Sequence, residues 1–226
     1  MGETRVPGPL GMDSVDQERF FGTRPSQRHD PSVPGPAGAD AMPLSSGKIT
    51  KVVRNYDESK PVTTGGIEVT SAVKIADVFA ELNQKATASG GGEWGKGGAA
   101  DIKIVWQNQD TGAVELQATL LKVLPTWQNK SKATKGAQAS WDAMIAKLDN
   151  HEQKHLDIAL EHLNKMIAEL ESGKIDATDS ALQAKHQEWT GKLKKAQDAL
   201  DTDSDHGAKE GHAYGDVILE VPDDGG

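Results

Sequence analysis

From Gly136 to Ser172 the chain runs without a proline through residues that favour helix, and this stretch limits the possible folds more than any other. Trp141, Met144, Ile145, Leu148, Glu152, His155, Ala159, His162, Met166 and Leu170 recur at intervals of three and four, so they share one helical face. At ~1.5 Å per residue such a helix is about 50 Å long. Gly173 supplies a stop and Asp179 or Ser180 a fresh cap, after which Leu182, His186, Trp189, Leu193 and Leu200 line a second helix. Two helices joined by so short a connection return antiparallel, which makes a helical hairpin the frame of the molecule.

The hairpin needs a second layer, and the residues before it offer strands. Ile49 to Val53 and Ile67 to Val73 alternate apolar and polar, with a loop from Tyr56 to Gly66 between them. Ala76 to Lys85 reads as a short helix on Val78, Phe79 and Leu82, stopping in the glycine-rich run Gly90 to Gly98, which reads as a flexible linker or hairpin tip. That run is not a phosphate loop, because Lys96 is followed by Gly97 and Gly98 rather than by Ser or Thr at a helix start. Ile102 to Gln107 and Val114 to Leu124 flank a turn at Asn108 to Gly112 and read as a hairpin. The expected fold class is α+β, a small antiparallel sheet packed with a long antiparallel helical hairpin.

With 226 residues, 36% of them hydrophobic, the chain has enough material for one domain and a tail. Residues 1–47 are rich in proline and glycine without apolar periodicity and read as a disordered arm, in which Phe20 and Phe21 beside Arg19 make a local hydrophobic contact. The domain is expected over 48–222, with strands mainly in 48–127, the helical hairpin over 136–200, and a ligand turn and C-terminal segment over 201–222. A formal charge of −9 and a pI near 5.3 argue against a nucleic-acid partner, since phosphate affinity rests on clustered Lys and Arg. There is no cysteine, so any metal must sit on His, Asp or Glu. Neither a standard signal peptide nor a membrane span is visible, so the expectation is no membrane partner and either export without a cleaved leader or a cytoplasmic place.

His151, Glu152, Gln153, Lys154 and His155 form the pattern His-Glu-x-x-His. Residues four apart on a helix stand one turn above each other, so both imidazoles can reach a single zinc ion from one side. Glu152 can then act as general base toward the attacking water. A catalytic zinc ordinarily has three protein ligands. His162 lies two turns beyond His155, about 10 Å along the helix at ~1.5 Å per residue, too far to join the same ion. The return of the second helix brings the turn Asp201 to Gly207 toward His151, which makes His206 the expected third ligand, with His212 in reserve and Asp201 either binding the metal or hydrogen-bonding a ligating imidazole. Tyr214 follows that turn, where it can pack or steady an oxyanion.

Beyond the short motif, residues from about Lys48 to Gly211 resemble a bacterial family of uncharacterised domains regarded as secreted zinc-dependent protease-like proteins. The resemblance rests on Leu124-Pro125-Thr126-Trp127, on Trp141 ahead of His-Glu-x-x-His, and on Leu200 to Gly207, which is similar to that family's Tyr-Asp-x-x-Thr-x-His-Gly element. Leu200 and Ser204 depart from that element. The resemblance implies a peptidase-like site in which His151, His155 and His206 hold Zn2+ and Glu152 is the base. The expected function is therefore a zinc metallopeptidase acting on a protein or peptide. Its rival is a non-enzymatic or degenerate interaction module with a structural metal, of the kind an exported effector or a delivery apparatus would use.

Overall fold

The computed structural model describes residues 47–89 and 92–221; the arm expected over 1–47 lies, but for its last residue, outside the described residues. Among the described residues its elements in order are β1 (Lys51–Asn55), β2 (Glu68–Val69), α1 (Ile75–Ala88), β3 (Lys96–Asn108), β4 (Ala113–Val123), β5 (Thr126–Trp127), α2 (Lys135–Glu171) and α3 (Asp179–Ser204), with a 3-10 turn at Lys130–Lys132 before α2. The fold is α+β as expected. The sheet, however, is mixed: β3 and β4 form the antiparallel hairpin, whereas β1 joins the other side of β4 in parallel, giving the order β1–β4–β3. A second, two-stranded parallel pair joins β2 to β5. No helix among the described residues is long and apolar enough to cross a membrane.

The two long helices start on threonine caps. The Thr134 side chain accepts from Ala137 N at the head of α2, and Thr178 accepts from Ala181 N at the head of α3, one residue ahead of the expected cap. Gly173, with φ +67°, ends the helical path between them. They pack antiparallel, with Trp189 Nε1 donating to Glu169 Oε2 at 2.6 Å near one end and Gln197 meeting His155 further along.

Helix α2 serves two hydrophobic clusters. Its first half puts Ala137, Trp141, Met144 and Leu148 into a core shared with α1, Trp94, Trp127, Val217 and Leu219. Its second half puts Leu156, Leu163, Met166, Ile167 and Leu170 into a core shared with Val114, Leu116 and Leu120 of β4 and with Leu182 and Trp189 of α3. Between the two halves lies the turn His151 to His155. Four of the five tryptophans are core residues as expected, while Trp106 is half-buried and donates its Nε1–H to Asp179 Oδ1 at 2.7 Å.

Two local expectations give way to packing. The strand expected over Ile67 to Val73 is reduced to Glu68–Val69, because the Glu81 carboxylate of α1 accepts the N–H groups of Thr70 at 2.8 Å, Ser71 at 3.2 Å and Ala72 at 3.1 Å, donors a longer ladder would have used. Lys85 Nζ lies 2.8 Å from the same carboxylate. The lysine, then the amides, hold Glu81 far below the usual carboxylate range. Replacing Glu81→Gln is expected to cost about 2 kcal/mol at pH 7, since hydrogen bonds to charged groups each contribute roughly 1.5–3 kcal/mol. Because the folded-state pKa is lowered, this contribution is complete above the unfolded carboxylate value near 4.3 and fades as pH falls. Urea titrations of wild type and variant should therefore differ at pH 7 and converge toward pH 2.

The glycine run also departs from expectation. Gly97 and Gly98 are part of β3 rather than a linker or hairpin tip, and the absence of side chains lets that strand lie against α2. A Cβ on Gly97 would stand 2.2 Å from the Glu152 carbonyl oxygen, and one on Gly95 would stand 2.6 Å from Glu152 Oε1.

Candidate metal centre

His151, Glu152 and His155 are 4%, 5% and 8% exposed, polar residues in the seam between the two apolar clusters of α2. The helical pitch does what the spacing predicts. The imidazoles stand one above the other with ring centroids 4.7 Å apart, and their Nε2 atoms face each other at 3.1 Å. Helix α3 continues through Leu200 to Ser204, further than expected, so that Asp201 rides its last turn rather than a loop. Asp201 Oδ1 lies 2.9 Å from His155 Nε2 and 3.5 Å from His151 Nε2. Among the described residues, these three donors form the group whose ligand atoms all lie within 4.8 Å of one another.

The hydrogen bonds behind the rings decide which nitrogen is free. His151 Nδ1 lies 2.9 Å from the Tyr214 carbonyl oxygen, which can only accept, so Nδ1 carries the proton. For His155 the partner is Gln197. Its amide Nε2 donates to the His155 carbonyl at 3.0 Å, which turns Oε1 toward His155 Nδ1 as acceptor and again places the proton on Nδ1. Both neutral rings therefore present an Nε2 lone pair to the same point, where Asp201 adds an anionic oxygen. Such a point takes a cation, either a proton on one ring or a metal ion. Tetrahedral ligands about 2.0 Å from zinc stand about 3.3 Å apart, and the three separations of 2.9, 3.1 and 3.5 Å bracket that value.

Electrostatics follow the crowding. Burial of Asp201 works to raise its carboxyl, but the hydrogen bonds and positive charge that His151 and His155 offer when protonated on Nε2 prevail and hold it well below the usual range. Burial disfavours a charged His155, whereas the hydrogen bond and charge of Asp201 favour it and win, so this imidazole is raised. Glu152 is pushed up to about 7, chiefly by burial; the neighbouring His155 and His151 oppose the shift, and Glu93 and Asp201 add to it. Glu93, on the approach to β3, is raised as well, first by the protein crowding its carboxyl and then by the charge of Asp201.

The remaining histidines among the described residues have other places. His206 is exposed, with its backbone in the left-handed region at φ +50° and its N–H bonded to the Asp201 carbonyl at 2.7 Å; it stands outside the converging group, although its charge is felt by Glu93. His212 accepts from Tyr214 N on Nδ1 and therefore donates from Nε2 to Asp203 Oδ2 at 3.0 Å. His186 donates to the Ile102 carbonyl at 2.8 Å, and His162 is half-buried on α2 away from the cluster. The Tyr214 ring lies under Lys154, whose Nζ is 5.4 Å from its centroid.

Sequence reasoning found two of the three converging donors, put His206 in the third place, and weighed Asp201 only as an alternative ligand or a partner of a ligating imidazole. It missed Gln197, although Gln197 and Asp201 are four apart and so share a face of α3, the spacing that had marked His151 and His155. It also missed the Tyr214 carbonyl, which no side-chain pattern reports.

Comparison with curated proteins and with solved structures finds no match to either. A family described as a bacterial protein of unknown function, DUF922, matches residues 70–207, more than half of the chain and a span that holds His151, Glu152, His155, Gln197 and Asp201, and the chain belongs to that family.

Proposed function

We propose that this protein is a zinc-dependent hydrolase of peptide or amide bonds, with His151, His155 and Asp201 as the ligands and Glu152 as the general base. The observation that carries the reading is the convergence of two tautomerically fixed Nε2 atoms and one carboxylate oxygen on a single point, beside a buried carboxylate on the same turn. Two imidazoles and a carboxylate are a donor set that suits zinc, and three protein ligands leave a fourth position for chemistry. Zinc bound there supplies Lewis acidity.

The protein's own groups divide the remaining work. Tyr214 and Gln197 hold the two rings so that both lone pairs point inward. Glu152 accepts a proton from the attacking water as its oxygen bonds to the carbonyl carbon, and returns a proton to the amine nitrogen as the carbon–nitrogen bond breaks. Gly95, with no side chain, leaves room for that carboxylate. The substrate is a protein or peptide, in keeping with the chain's resemblance to protease-like bacterial proteins.

The test is metal content followed by affinity. Protein purified without chelator is expected to hold one zinc per chain, and the zinc-loaded protein to cleave members of a quenched-fluorescent peptide library until a chelator is added. Asp201→Ala is expected to weaken zinc at least about 100-fold, the upper range of losing a supporting group, while His206→Ala leaves it within about threefold. The opposite ranking would assign the third ligand to His206, and wild-type protein with no affinity for zinc would end the proposal.

A further inference from the structure

The family match ends at Gly207, yet the group that fixes the His151 tautomer lies beyond it. After the turn at Asp205, His206 and Gly207, all with positive φ, the chain continues along α2 antiparallel to it, in the direction α3 was already taking. Successive contacts trace its path. Lys154 Nζ sits over the Tyr214 ring, Asn150 Nδ2 donates to the Ala213 carbonyl at 2.9 Å, Lys147 Nζ lies 3.6 Å from Asp216 Oδ2, and Ser140 Oγ donates to the Glu220 carbonyl. Val217 and Leu219 fasten the segment by burial in the core of Trp141, Met144 and Leu148. A bond from Val217 N to the Gly207 carbonyl at 2.8 Å closes the loop at its base. His151 Nδ1 meets the Tyr214 carbonyl in the middle of this run.

We infer that residues 211–221 are a positioning strap that makes His151 a metal donor, a function supplied by chain outside the family's matched region. The inference rests on the zinc reading above. Its physical content is tautomeric. Without an acceptor at Nδ1, the neutral imidazole is free to carry its proton on Nε2, and that form offers no lone pair to the metal. Asp201 and His155 Nε2, both acceptors, would then draw the proton toward the ligand point. The strap prevents this by setting a carbonyl at the far nitrogen before any metal arrives.

Two variants displace the carbonyl without touching a ligand. In Gly215→Ala the new Cβ would stand 2.1 Å from the Lys209 carbonyl and 3.0 Å from His212 Cβ, so the strap must shift. In Asn150→Ala the exposed tether to Ala213 is lost and the core is left intact. Long-range nitrogen–proton spectra of the metal-free protein above neutral pH, with His151 assigned, are expected to show the Nδ1–H form in wild type and a mixture in both variants. Zinc affinity by chelator competition is expected to fall about 10- to 100-fold, the usual effect of removing a partner of a ligating histidine. The cobalt-substituted protein should show an altered visible spectrum, which a merely structural role would not move. If Gly215→Ala fails to fold, Asn150→Ala carries the test. Wild type that binds zinc alongside variants with unchanged tautomer and affinity would overturn the strap and leave the zinc reading standing; wild type that binds no zinc would overturn the zinc reading, and with it the strap's purpose.

Discussion

On the zinc-hydrolase proposal, Glu152→Gln is expected to retain zinc binding and the fold while losing peptide hydrolysis by a factor of at least about 100, in line with the roughly 10²- to 10⁴-fold contribution of a general base. The reasoning is that the amide has nearly the carboxylate's shape but cannot accept the proton of the attacking water. The position is tightly packed, with Gly95 and Gly97 against the side chain and the carbonyl of residue 152, so an isosteric change is the one that leaves its surroundings undisturbed. The variant also relieves the cost of burying an ionisable group that is pushed up to about 7, chiefly by desolvation, so its thermal stability should equal or exceed that of wild type at neutral pH. Two measurements decide the matter: metal content by elemental analysis and turnover of a peptide that wild type cleaves. Full turnover in the variant would remove Glu152 from the mechanism and favour the reading in which the metal staples a non-enzymatic module.

The second large effect is on stability. Gly97→Ala is expected to cost at least about 3 kcal/mol, the upper range for forcing extra volume into a packed site. The clash is unusual in that neither party can rotate away: the added Cβ is fixed by the β3 backbone and would meet the Glu152 carbonyl oxygen at 2.2 Å and the Glu152 Cα at 2.9 Å. No rotamer change relieves it; β3 must leave α2 or the helix must bend. At roughly 2–4 °C per kcal/mol for a domain of this size, the melting temperature should drop by about 6–12 °C. Gly191→Ala is the matched control, because that glycine lies inside α3 with nothing within 4 Å of its would-be Cβ. There the substitution should raise stability by about 0.5–1 kcal/mol through helix propensity. If Gly97→Ala melts with wild type, β3 does not lie against α2.

What could be read from the sequence was whatever a single element determines by itself. The interval between His151 and His155 is a property of one helix, and so is the proline-free run that carries it. The antiparallel return of α3 followed from a short connection and a cap, and the β3–β4 hairpin from its turn. The misreadings arose where one element is defined by another. Gly97 and Gly98 look like punctuation in isolation, whereas their smallness serves a neighbouring helix. The strand after Ile67 stops early because Glu81, on a different element, takes its amides. The parallel partner of β4 came from a segment far back in the chain, which no local alternation encodes.

The third donor shows the same division more finely. Choosing His206 over Asp201 assumed that α3 ends near Leu200, and one further turn of helix brings Asp201 to the cluster and leaves His206 exposed beyond it. Gln197 became recognisable only once Asp201 was known to be helical. The Tyr214 contribution is a carbonyl, common to every residue type, and depends on where the chain returns rather than on what the residue is.

Helix α2 is gripped by a different apolar cluster on each side of its histidines, and a rod clamped at two points cannot rotate in the middle unless both clamps yield. The directions of the three polar side chains on that turn are thus settled during folding, so an ion of the kind proposed would meet a rigid seat and spend little of its binding energy on ordering it. A consequence is long reach: trimming Leu148 on one side or Leu163 on the other should weaken the metal affinity proposed above, although neither leucine is among the converging donors.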